Sequence, residues 1–135
     1  MSVTVEITEG PLKRGSSDRA VPTNGVAGSA GSTGASVIFE GIVRAQEENG
    51  TIVALDYEAY RPMADRELER LASDILRAHG LHRIAVEHSV GHVRVGEVSF
   101  RLLIESAHRT EAMRAMAEFI DRMKLDIPIW KRAVH

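Results

Sequence analysis

The chain has 135 residues, about the size of one typical domain, and its 44% hydrophobic and 27% charged residues are the balance of a globular chain rather than a disordered or fibrous one. Nineteen acidic against seventeen basic side chains leave a net charge of −2, which excludes a broad cationic face for nucleic acid or an anionic membrane, so any anion binding must be local. The absence of cysteine excludes disulfides, thiolate metal sites, cysteine nucleophiles and persulfide relays.

In chain order, Val3, Val5 and Ile7 alternate with polar residues and predict a short strand. Met1 to Gly10 lacks the basic-then-apolar pattern of a signal peptide, and no stretch approaches the ~20 apolar residues of a membrane span, so a cytoplasmic location is expected. Gly10 to Gly34 holds six of the eleven glycines and two of the four prolines, the composition of a loop or linker. The expected organisation is a strand plus Gly/Ser-rich loop over residues 1–34 and the main body over 35–135, a single domain overall.

Two β-branched runs follow, Val37 to Arg44 and Ile52 to Glu58, with Asn49-Gly50 between them; that dipeptide suits a type I′ turn, so the runs are expected to pair as a hairpin. Gly41 is expected to mark a bulge. Pro62 fits a first helical turn, Leu68, Leu71, Ala72, Ile75 and Leu76 recur at helical spacing, and Gly80 supplies the stop. Ile84, Val86, His88 and Val90 alternate as a strand, with a turn near Gly91 to Gly96, then Val98, Phe100, Leu102 and Ile104 alternate again. Thr110 is expected to cap a second helix with Met113, Met116, Ala117, Ile120 and Met123 as its buried stripe. Ile127 to Trp130 reads as a short strand that Pro128 confines to an edge. The pattern is α+β, and its last six elements, β-α-β-β-α-β, would alone suggest a ferredoxin-like split βαβ.

Four constellations could carry chemistry. Gly28, Gly31 and Gly34 recur as in phosphate-cradling loops, but no Lys-Ser/Thr follows and a strand comes next, so both nucleotide fingerprints fail. His79, His82, His88 and His92 could supply nitrogen ligands, yet no third donor is identified locally, and surface or strand histidines are the expectation. Ser106-Ala107-His108-Arg109 stands where a strand ends and a helix begins, so an imidazole and a guanidinium lie beside helix N-terminal N–H groups, a place that binds anions. After residue 121, Arg122, Lys124, Lys131 and Arg132 face only Asp126. Lys124 ends the second helix, where a cation favours the dipole, and a lysine among other cations and apolar walls can serve as nucleophile or acid/base.

Five blocks in register resemble the large, catalytic subunit of molybdopterin synthase. They are Gly34-Ala35 through Phe39-Glu40-Gly41-Ile42-Val43-Arg44, then Leu55 to Ala64, Gly96-Glu97, Ser106-Ala107-His108-Arg109 with Phe119 to Lys124, and Pro128-Ile129-Trp130-Lys131-Arg132. The likeness runs from Gly34 to Arg132, about three quarters of the chain. It departs from the usual pattern at Ser89, where an arginine is common, at Met113 for phenylalanine, and at Ala133 for glutamate.

The resemblance implies an α/β-hammerhead fold with a mixed sheet and two main helices. It implies transfer of two sulfurs to cyclic pyranopterin monophosphate, forming the dithiolene of molybdopterin. The sulfur would arrive as a thiocarboxylate on the C-terminal Gly-Gly of a small ubiquitin-like partner, with the large subunit as a homodimer carrying one small subunit at each end. No cofactor or metal of its own is implied, and the missing cysteine is accounted for because the partner brings the sulfur. By position, Lys124 and Lys131 match the family's catalytic lysines. Ile42, Val43 and Arg44, with His108 and Arg109 reaching across the dimer, match pterin- and phosphate-binding positions, and Arg132 is expected to line the same pocket. The competing expectation is a non-catalytic, dimeric ferredoxin-like module that binds a small anionic ligand at His108 and Arg109.

Overall fold

Nine consecutive buried residues make Val98–Ser106 the central strand, and the remaining elements are arranged about it in a computed structural model that describes residues 1–13, 31–48 and 50–135. The elements are β1 (Ser2–Glu9), β2 (Ala35–Ile42), β3 (Gln46–Glu47), β4 (Gly50–Thr51), β5 (Ala54–Ala59), α1 (Met63–His79), β6 (Arg83–Arg94), β7 (Val98–Ser106), α2 (Arg109–Asp126) and β8 (Ile129–Val134). The main sheet runs β2-β7-β6-β5-β8, with β1 added parallel to β6. This is the expected α+β arrangement of a mixed sheet with two main helices.

Strand β6 is shared between two halves of the sheet. Its first part pairs with β7 on one side and β1 on the other, whereas Gly91 to Arg94 pair with Tyr57 to Ala54 of β5. The change of partner falls at Gly91, whose φ of 84° lies in the left-handed region that a residue with a Cβ avoids. Of the span Gly91 to Gly96 where a turn is expected, Gly91 is a bend within the strand and the reversal itself falls at Val95-Gly96.

Both helices cover one face of the larger half, α1 over β1 and β6, α2 over β7 and β2. The helical spacing of Leu68, Leu71, Ala72, Ile75 and Leu76 puts all five in the core, and Gly80 ends α1 in the left-handed conformation. Burial of each large aliphatic side chain contributes about 2 kcal/mol. On α2 the buried residues are Ala112, Ala115, Met116 and Phe119, while Met113 is 60% exposed and Ala117 lies at the surface. The expected stripe holds at Met116, Ile120 and Met123, which are buried or packed against the core, and fails at Met113 and Ala117: the small Ala112 and Ala115 let the helix approach its neighbours closely, and the bulkier Met113 is turned outward. Thr110 is not the cap; His108 holds that position in extended conformation, without a side-chain capping bond.

The opposite face of the central strand carries Arg101, 3% exposed. Its guanidinium donates to Glu40 on β2 at 2.7 and 2.9 Å and to Glu87 on β6 at 3.3 Å, and it also donates to the Lys13 carbonyl.

The expected hairpin is corrected. β2 pairs with β7, and β5 pairs with β6 and β8, so the two β-branched runs lie in different parts of the sheet. Only the two-residue ribbons β3 and β4 pair around the turn. Val43 explains the divergence, since its backbone bonds to Glu97 and Gly96 of the β6–β7 turn rather than to the following run. The bulge is present, as a register shift between Gly41 and Ile42. The ferredoxin-like alternative also fails. A split βαβ needs a helix joining two parallel strands with a third between them, whereas α1 joins β5 and β6, which are directly paired and antiparallel. The closing strand begins at Ile129, just after Pro128, and lies at an edge as expected. Most of the Gly10–Gly34 segment, including Gly28, lies outside the described residues. Among the described residues no helix is long and apolar enough to cross a membrane.

Candidate active site

A cavity of about 460 Å³ opens where the end of α2 and strand β8 face the bulged end of β2. The apolar wall comes from Phe39, Phe100, Ile120, Met123, Ile127 and Ile129, with Tyr57 and His88 adding polar tips. Among the described residues three cations and one carboxylate line it: Arg44, Lys124, Lys131 and Glu47. A volume of this size suits a small organic ligand, and an excess of positive charge over apolar walls suits an anionic one.

Each cation arrives by a different route. Arg44 follows the β2 bulge, where the bonds of Val43 to the β6–β7 turn fix the exit direction. Lys124 stands in the last turn of α2, favoured there by the helix dipole. Lys131 lies opposite Tyr57 in the β5–β8 register, and its ammonium donates to Glu47 Oε1 at 3.1 Å. The second Glu47 oxygen is 3.9 Å from the Arg44 guanidinium. Ile42 and Val43 complete this side of the cavity.

Arg132 is a correction. Alternation along β8 turns it away from Lys131, and it pairs with Asp56 Oδ2 at 3.2 Å outside the cavity. His92 Nδ1 also donates to Asp56, at 2.8 Å; this bond first, and the one from Arg132 second, hold the Asp56 carboxyl below its ordinary range. His108 caps and Arg109 starts α2, sixteen and fifteen residues before Lys124, which at 1.5 Å per residue places them about 22–24 Å away along the helix. Within one chain they cannot share the cavity. The Ser106 hydroxyl donates to the His108 carbonyl at 2.6 Å and fixes this junction, leaving the His108 side chain 82% exposed beside Glu111.

The histidines serve separate contacts. His79 bonds Glu118 and His82 bonds Thr33, and among the described residues no three His, Asp or Glu side chains are grouped to hold a metal ion. His88 is the one that reaches the cavity, a placement that its reading as a possible ligand missed although its alternation with Ile84 and Val86 pointed inward. Its Nδ1–H donates to the Ser89 carbonyl at 2.7 Å, and its ring packs edge-on to Tyr57 with centroids 5.3 Å apart. The Tyr57 hydroxyl is 3.0 Å from that of Ser99.

Burial lowers the His88 pKa below its ordinary value of 6.5, only partly opposed by the Ser89 bond. The unfolded imidazole takes up a proton near pH 6.5 while the folded one resists it, so the unfolded state binds more protons below that pH and stability falls as pH falls. Urea midpoints of the wild-type chain therefore decline from pH 7.5 to 5.5. In His88→Gln that decline is shallower; an identical slope would remove His88 as its source.

The MoaE protein family model matches residues 14–126, and the chain belongs to this family. The molybdopterin synthase catalytic subunit of Homo sapiens is 38% identical over 102 residues, 76% of this chain and 54% of that one. The chain spans about half the length of the curated relatives it matches. Among solved structures, molybdopterin synthase from Staphylococcus aureus aligns with a TM-score of 0.79 at 28% identity, covering 96% of this chain and 89% of the other. The complex of subunits 1 and 2 of molybdopterin-converting factor from Helicobacter pylori 26695 aligns with a TM-score of 0.77 at 27% identity, covering 97% and 85%.

Proposed function

We propose that this chain is the catalytic subunit of a molybdopterin synthase, a sulfurtransferase that moves sulfur from a thiocarboxylated small partner onto cyclic pyranopterin monophosphate. The observation that carries the reading is the convergence of Lys124, Lys131 and Arg44 on one apolar-walled cavity in a member of the MoaE family. The names of the relatives, among them a two-subunit complex, support the activity and the small partner.

In this reading Arg44 holds the substrate phosphate, for which a guanidinium fork is well shaped, and Ile42 and Val43 pack beside the pterin. The thiocarboxylate sulfur bonds to a carbon of the pterin's pyran ring as that carbon's bond to oxygen breaks, the departing oxygen taking up a proton, and the product is a thioester that links carrier and substrate. Cleavage of the acyl–sulfur bond by water then leaves sulfur on the pterin and an ordinary carboxylate on the carrier, and a second carrier repeats the step. Lys124 and Lys131 are the catalytic residues: an ammonium steadies the thiocarboxylate and the oxyanion formed at its carbonyl, and a lysine amine moves a proton or attacks the acyl carbon. The working assembly is a homodimer with a small subunit at each end, in which His108 and Arg109 of one copy complete the cavity of the other.

The test combines the purified chain with a thiocarboxylated small subunit and the pyranopterin. Dithiolene product is expected, and its absence when the carrier is intact and bound sinks the reading.

A further inference from the structure

Glu47 introduces a carboxylate into a cavity whose other charged groups, among the described residues, are cations. Its Oε1 accepts from Lys131 at 3.1 Å and its Oε2 faces Arg44 at 3.9 Å, so one side chain bridges both. Among the described residues it has no other hydrogen-bonded or charged partner. The ribbon that carries it is held without it. Gln46 bonds the Thr51 hydroxyl at 3.1 Å, the Ile52 N–H donates to the Ala45 carbonyl at 2.8 Å, and Ile52 is buried at the base.

We propose that Glu47 is an internal counter-ion, a positioning residue that holds the Lys131 ammonium before substrate arrives and that an incoming anion must displace. This rests on the proposed reading of the cavity as a site for a phosphate and a thiocarboxylate. Two features make displacement cheap. Only the Glu47 side chain has to swing aside, since the ribbon beneath it is held by the Gln46 and Ile52 contacts. The pair also lies at the mouth, with the Lys131 side chain 57% and the Arg44 side chain 80% exposed, where an ion pair is worth only about a two- to fivefold change in an equilibrium. A singly charged, weakly bound anion gains too little to replace the carboxylate, whereas a doubly charged phosphate touching Arg44 and Lys131 together gains more. Glu47 thereby sets a threshold that favours multiply charged ligands.

The experiment uses two probes that do not require sulfur transfer. Calorimetry at low ionic strength measures the affinity for inorganic phosphate, and peptide mass spectrometry follows the modification of Lys131 by the anionic reagent trinitrobenzenesulfonate, with Lys124 as internal reference. In Glu47→Gln, phosphate affinity and the Lys131 labelling rate both rise, by about two- to fivefold. Glu47→Asp stays closer to wild type because the charge is kept. Glu97→Gln, which removes a carboxylate bonded to Arg94 outside the cavity, changes neither quantity. Phosphate bound equally by wild type and Glu47→Gln, with unchanged labelling, overturns the role of Glu47 alone. Phosphate bound by neither overturns the anion-site reading together with it.

Discussion

Lys131→Ala lowers the single-turnover rate of dithiolene formation by about 100-fold or more, the range seen when a positioned proton-transfer group or a charge-stabilising donor is removed. Lys124→Ala does so to a similar order, because the two cations face the same cavity from the helix end and from β8. Neither change shifts the melting midpoint by more than about 1 °C, since both side chains are solvent-facing and surface substitutions cost little. Lys131→Arg separates the possible duties: a retained charge that only steadies an oxyanion preserves part of the rate, whereas proton transfer or attack by an amine does not survive the change. Product formed at the wild-type rate by both alanine variants would remove the lysines from the mechanism.

Arg101→Ala lowers unfolding stability by about 3 kcal/mol, the lower part of the range for breaking a buried ion pair. The guanidinium is 3% exposed and the carboxylates of Glu40 and Glu87 are 22% and 13% exposed, so the variant leaves two half-buried charges without their shared cation. The loss appears as a lower urea midpoint with little change in m value. Replacing all three, as Arg101→Met with Glu40→Gln and Glu87→Gln, recovers most of it, because the cost comes from two half-buried carboxylates that have lost their shared cation rather than from the missing attraction. Failure of the triple variant to recover would show instead that the bond to the Lys13 carbonyl is what matters.

The elements read correctly from the sequence are those whose signal is local. Helix α1 has a regular stripe and a glycine stop, and both take effect within the helix itself. The pairing of β2 was not legible, because Asn49-Gly50 specifies a reversal but not which strands its flanks then join; those partners lie more than fifty residues away in β7. Hydrophobicity alone also misplaced part of the buried face of α2, at Met113 and Ala117. Close packing there selects Ala112 and Ala115, whose small size outweighs the greater apolar area of Met113. At the cavity, charge pattern and resemblance pointed to Arg44, Lys124 and Lys131, but Arg132 was carried along by adjacency although strand alternation turns it away. Glu47 was not legible, since a carboxylate in a short loop reads as solvated surface until the fold brings Lys131 beside it.

The route by which the cations meet has a consequence for how the cavity is assembled. Seven residues separate Lys124 from Lys131, across one helix-to-strand junction, whereas eighty separate Arg44 from Lys124. Closing the longer loop costs about 2 kcal/mol more chain entropy than closing the shorter one. The lysine pair is therefore a local product of the C-terminal segment, while Arg44, the proposed phosphate ligand, depends on long-range order of the whole sheet. A chain loosened elsewhere keeps its two lysines linked through the short junction but loses Arg44 from the cavity wall, so the proposed chemistry is coupled to completed folding through Arg44.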